Sequence, residues 1–191
     1  DPAVAEVGGE RGVAVGGHVV ELELQVGVEE PVQPAGHVVQ DAAVERFTAI
    51  LVDATRQFKT GNPREAGTVV GPMISEADAR RAEEWIAEAV RDGATVLHGG
   101  RRNGSLFEPT ILVGSQRDMK VMCEEIFAPV LSIVPFQSLD EAIREVNSVP
   151  FGLAAGVFTK DIDRAMFAAR RLHVGIVHIN DQTVNDEANV P

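Results

Sequence analysis

Cys123, Glu124, Glu125 and Phe127 stand close together, just ahead of Pro129 and the apolar run Val130-Leu131-Ser132-Ile133-Val134. A carboxylate accepts hydrogen bonds from paired sugar hydroxyls, and an aromatic ring lies flat against a heterocycle. Glu125 and Phe127 could therefore hold a nucleoside-like ligand; a solvated Glu pair with Phe127 in the core is the plainer alternative. Cys123 offers a nucleophile, but two neighbouring carboxylates oppose thiolate formation. Its place on a short helix suits a packing role better.

The elements around this cluster explain why it would be held rigidly. The run from Val130 is apolar on both faces, as buried parallel strands are. Pro129 has no N–H and turns its neighbour away from helix, so Glu125 and Phe127 sit on a corner leading into that strand. Upstream, Val44, Phe47, Leu51, Ala54 and Phe58 recur at helical spacing after Asp41, and Gly61 supplies a stop. Ser75 opens a helix that runs to Gly93, with Asp78 completing a capping box. Short strands are expected over 94–98 and 109–113, with a helical turn over 119–124. Helices follow from Leu139, with Ser138 as cap, and from Asp161 to Leu172, and strands over 154–159 and 174–180. Helices alternating with short apolar strands predict an α/β fold: a mostly parallel sheet with helices on both faces.

The first 44 residues have a different texture. They are rich in Val, Gly and Glu, with eight acidic residues against the single Arg11. The alternation from Val20 to Val26 predicts an edge strand or hairpin, but no capping signal or ligand motif is present. Residues 1–44 are read as an atypical segment, non-native or disordered, from a frame change or foreign junction. Residues 45–191 form the domain proper. The chain starts at Asp1 and stops at Pro191 just after a strand-like segment, so both ends are read as cut.

Composition narrows the partners. A net charge of -12 argues against nucleic acid or an anionic membrane surface. No apolar run reaches the length of a membrane span and no signal peptide is visible. One cysteine excludes an internal disulfide framework and fits a cytoplasmic setting. His18, His37, His98, His173 and His178 show no metal-ligand spacing, so no metal is expected. His178 alone, two residues before Asn180, is placed to line a pocket. Trp85 reads as core. The G-x-G-x-x-G, G-K-(S/T) and G-x-S-x-G patterns are absent.

Glu124-Glu125-Ile126-Phe127-Ala128-Pro129 resembles the E-E-x-F-G-P motif of the aldehyde dehydrogenase superfamily, with Ala128 where the family usually has Gly. Four more segments fit in order. Gly61-Asn62-Pro63 with Val70-Gly71-Pro72-Met73-Ile74 resembles the G-(D/N)-P…G-P-(L/M)-I linker. Gly93-Ala94, Gly99-Gly100 and Phe107-Glu108-Pro109-Thr110 resemble G-A…G-G…(Y/F)-x-P-T. Phe151-Gly152-Leu153-Ala154-Ala155-Gly156-Val157-Phe158-Thr159-Lys160-Asp161 resembles Y-G-L-x-A-x-V-F-T-x-D. Gly175-Ile176-Val177-His178-Ile179-Asn180 resembles the G-x-(V/I)-x-(V/I)-N strand end.

The resemblance covers residues 45–191 and implies part of a catalytic domain. It implies that Glu125 holds the nicotinamide ribose and Phe127 packs beside the nicotinamide of NAD or NADP. It also implies that Asn180 lies near the active site, and that residues from Asn180 to Pro191 correspond to the substrate-entrance loop, with Val184 and Asn185 facing substrate. That tail looks most like benzaldehyde and vanillin dehydrogenases. The implied substrate is an aldehyde, and the full-length enzyme is expected to be a homo-oligomer. In the family a Cys thiolate attacks the aldehyde, hydride passes to the cofactor, and a Glu-activated water releases the acid. No residue here matches that Cys, the general base or the dinucleotide-binding domain, so no catalytic residue is assigned and the chain alone is expected to be inactive. The alternative is a non-catalytic α/β module that serves in binding or assembly.

Overall fold

The computed structural model describes residues 35–181 and Thr183, together with three short strands ahead of them, 13–15, 18–20 and 25–28. In chain order these are β1 (Val13–Val15), β2 (His18–Val20) and β3 (Gln25–Val28), then β4 (Ala35–Gln40) and α1 (Asp41–Thr55). Next come β5 (Lys59–Thr60), β6 (Thr68–Val70), α2 (Glu76–Arg91) and β7 (Thr95–His98). The hairpin β8 (Arg102–Asn103) and β9 (Leu106–Phe107) leads to β10 (Thr110–Val113) and α3 (Lys120–Cys123). The chain continues through β11 (Val130–Phe136), α4 (Leu139–Val146), β12 (Ala154–Phe158), α5 (Ile162–Ala169) and β13 (Ile176–Ile179).

Seven strands form the central sheet in the order β13-β12-β3-β4-β11-β10-β7. β10, β11 and β4 are mutually parallel, as are β12 and β13. β3 is antiparallel to both β12 and β4, so those two share one direction, and β7 is antiparallel to β10. Five of the seven strands therefore run the same way, and the expected mostly parallel α/β sheet is what forms.

Adjacent residues on single strands enter different cores, which shows that both faces are covered. Val39, Ile111 and Ile133 pack with Phe47 and Leu51 of α1. Their chain neighbours face the other way: Val38 joins Ile143 and Val146 of α4 and Ala168 of α5, while Leu112 joins Ala82 and Ile86 of α2. This is the period-2 alternation of a sheet buried on both sides.

The helix starts follow from local chemistry. Ser75 Oγ accepts from the Asp78 N–H at 3.1 Å, and Ser138 Oγ accepts from the Glu141 N–H at 3.2 Å. Each satisfies an N–H that the first helical turn leaves unpaired. α5 stops at Ala169, short of the expected Leu172, although the Leu172 N–H still reaches the Ala168 carbonyl at 2.9 Å.

Residues 35–40 carry no strand signal of their own, yet β4 lies in the middle of the sheet. Its stretch is short and contains Gly36 and His37, which weaken a strand signature. It is a strand because β3 and β11 lie on either side of it. The alternation expected from Val20 to Val26 falls partly on residues 21–24, which lie outside the described residues.

Candidate functional site

The corner ahead of β11 is pinned by Ile126, 1% exposed among Ala82, Ile86 and Val121. The Thr110 N–H donates to the Pro129 carbonyl at 2.8 Å, tying the corner to the start of β10. With Ile126 held inside, its neighbours stand outside: Glu125 is half-buried and Phe127 is 45% exposed. Glu125 carries no hydrogen bond or ion pair among the described residues.

Phe127 has φ 49, and Asn180, at φ 55, is the other non-glycine residue with positive φ among the described residues. For a bulky aromatic side chain this left-handed conformation is an outlier, costing about 1–2 kcal/mol. Such strain persists where the surroundings enforce it and clusters at ligand sites. Here Ile126, Pro129 and the Thr110 bond enforce it, and the ring is left facing solvent.

The two groups of expected site residues lie apart. Glu125 and Phe127 precede the start of β11, whereas Asn180 follows the end of β13, and the two strands run the same way. Ile179, Val157, Val26, Val38 and Val134 form one cross-strand row. That row crosses β11 four residues past Val130, and four strand spacings separate β13 from β11. Standard strand dimensions put the corner and Asn180 on the order of 25 Å apart.

The Asn180 side chain is engaged within the fold. Its Oδ1 accepts from the Thr159 N–H at 2.9 Å and its Nδ2 donates to the Thr159 carbonyl at 3.0 Å. Val184 and Asn185 lie outside the described residues. His178 is half-buried, and its Nε2 is shielded from solvent with no hydrogen-bond partner. Trp85 packs against the α2 core with the Arg81 guanidinium 5.4 Å from its ring centre. Among the described residues no group of three His, Cys, Asp or Glu is arranged to hold a metal ion. None of their helices is long and apolar enough to cross a membrane.

Cys123 is half-buried, and its Sγ donates to the Asp118 carbonyl at 3.7 Å. It lines a cavity of about 90 Å³ together with Met122, Gly36, Val38 and Val134. At the cavity rim Arg117 Nε donates to Glu145 Oε2 at 2.7 Å. That bond, with the charges of Glu145 and Glu141, raises the Arg117 pKa above its ordinary value.

Ile126 as the anchor of the corner and Thr159 as the partner of Asn180 are not among the residues the sequence singles out. The alternation of Glu125, Ile126 and Phe127 hinted at the first. Nothing local marked the second, because its partner lies 21 residues away.

The sequence model of the aldehyde dehydrogenase family matches residues 32–191. This chain belongs to the aldehyde dehydrogenase family. It is 41% identical over 145 residues to the 3-sulfolactaldehyde dehydrogenase of Priestia aryabhattai, covering 76% of this chain and 30% of that protein. It is 40% identical over 154 residues to the vanillin dehydrogenase of Corynebacterium glutamicum, covering 80% of this chain and 32% of that protein. Among solved structures, the glyceraldehyde-3-phosphate dehydrogenase of Methanocaldococcus jannaschii, complexed with NADP, matches with a TM-score of 0.76. Identity to it is 34%, over 81% of this chain and 33% of that one. The chain thus spans about a third of the length of the aldehyde dehydrogenases it matches.

Proposed function

We propose that this chain is the part of an NAD(P)-dependent aldehyde dehydrogenase catalytic domain that supplies the nicotinamide-ribose corner and the aldehyde-entrance segment. The observation that carries the proposal is Glu125, without a partner, beside the solvent-facing, left-handed Phe127. A free carboxylate next to an exposed ring suits a sugar diol beside a flat heterocycle, so the residues present fit a nicotinamide nucleotide. When bound, NAD or NADP supplies the hydride acceptor. Glu125 would accept from the ribose hydroxyls and Phe127 would limit where the ring can lie, while Ile126 and Pro129 hold both in place.

In this reading the substrate is an aldehyde, aromatic aldehydes among the candidates, and the product a carboxylic acid. Similarity to a vanillin dehydrogenase supports the aromatic choice, while equal similarity to a 3-sulfolactaldehyde dehydrogenase keeps the class wider. Val184 and Asn185 are assigned to the substrate side. The full-length enzyme is assigned to the cytoplasm as a homo-oligomer. The catalytic portion is taken to begin at β4, ahead of residue 45, because β4 pairs along its length with β11.

The isolated chain should not oxidise aldehydes, since none of its residues is assigned as nucleophile or general base. The test joins residues 35–191 in frame behind the dinucleotide-binding and cysteine-bearing segments of a vanillin dehydrogenase. The chimera should reduce NAD or NADP in an aldehyde-dependent way, and Glu125→Gln should slow it about tenfold or more, as losing a charged hydrogen bond does. Unchanged turnover in Glu125→Gln would remove the cofactor role.

A further inference from the structure

The bonds around Asn180 follow the logic of a parallel ladder. Its own N–H donates to the Val157 carbonyl at 2.9 Å, the last main-chain rung between β12 and β13. The next rung is made by a side chain: the carboxamide accepts from the Thr159 N–H and donates to the Thr159 carbonyl. A carboxamide carries the same acceptor and donor as a peptide group, so it satisfies both polar groups of one residue. The main chain is thereby free to leave the sheet, and it does so through the left-handed conformation that Asn tolerates better than most residues.

The departing chain folds back over the sheet. A Cβ placed on Gly156 would lie 3.2 Å from the Asp181 carbonyl oxygen and 3.6 Å from Thr183 Cγ2. Thr183 is 4% exposed there. Thr159 passes the constraint onward, because its Oγ1 accepts from the Asp161 N–H at 3.1 Å. Asp161 Oδ1 in turn caps α5 through the Asp163 and Arg164 N–H groups.

We propose that Asn180 is a positioning residue: its carboxamide replaces a strand peptide and fixes where the segment from residue 181 leaves the sheet. Asn180 acts through the chain path it sets at Asp181 and Thr183, and a bearing of that path on the aldehyde rests on the entrance-loop reading above. The side chain at 180 must reach one residue across the ladder with both a donor and an acceptor. Asp keeps the acceptor alone, and Gly keeps the backbone conformation alone.

Amide hydrogen exchange and methyl NOEs on the isotope-labelled chain test the proposal. Asn180→Gly accepts positive φ, so the fold should hold. Its Thr159 amide should exchange about fivefold to tenfold faster, as loss of one hydrogen bond implies, and the Thr183 methyl should lose its NOE to Gly156. Asn180→Asp should restore protection at Thr159, because the acceptor returns. Unchanged Thr159 exchange in Asn180→Gly, or no rescue by Asp, would overturn the clamp. Saturation-transfer NMR with benzaldehyde on the wild-type chain tests the entrance reading separately. Absence of transfer counts against that reading, while the exchange result decides the clamp.

Discussion

Val38 and Val39 are neighbours in the chain and belong to different cores. Val38 packs with α4 and α5 on one face of the sheet, and Val39 with α1 on the other. β4 is therefore the seam between the two apolar layers. Truncating either side chain to Ala should cost about 2 kcal/mol, because each leaves a void that its packed neighbours cannot close. Urea midpoints of Val38→Ala and Val39→Ala would measure this. A chain beginning at residue 41 should lose cooperative unfolding altogether, because it lacks both β3 and β4, the two strands that join β12 to β11.

The cavity beside Cys123 has a bare floor at Gly36. A Cβ built there would meet only the Ser132 carbonyl oxygen, at 4.0 Å. Gly36→Ala should therefore stabilise the chain by about 0.5–1 kcal/mol, through a less flexible unfolded state and a partly filled void. Cys123 should also react more slowly with a bulky disulfide reagent. Faster reaction together with a lower melting temperature would show that the space at Gly36 is not free.

At Phe127 the backbone and the side chain make separable demands. Phe127→Gly should be more stable than Phe127→Ala by about 1 kcal/mol, since only Gly adopts positive φ without penalty. The two variants lose the same ring, so their difference isolates the strain. Glu125→Gln should change stability by less than about 0.5 kcal/mol, because its carboxylate has no partner to lose. A large loss in Glu125→Gln would make Glu125 structural and weaken its assignment to a ligand.

His37 is buried against Phe47, with ring centres 5.5 Å apart. Burial disfavours the charged form and lowers its pKa from 6.5 to about 4. The unfolded chain thus binds the proton more readily than the folded one. Its contribution is fully present above pH 6.5 and is lost as the pH falls towards 4, up to about 3 kcal/mol in all. Denaturant melts between those pH values should show the slope, and His37→Leu should flatten it.

Local chemistry was legible in the residues alone. Ser75 and Ser138 announced their helices because a cap closes its bond within three residues. The strand after Pro129 announced itself by composition, and five motifs in order named the family. What the residues could not reveal was pairing across distance. β4 became a central strand only through β3 and β11, and strand direction leaves no mark on a period-2 pattern. The separation of Glu125 from Asn180, and the bond of Asn180 to Thr159, likewise depend on which strands meet. The sequence by itself determined the elements and the chemistry available to each. The tertiary structure decided which of those groups share a site, because only the sheet brings residues distant in the chain into contact or holds them apart.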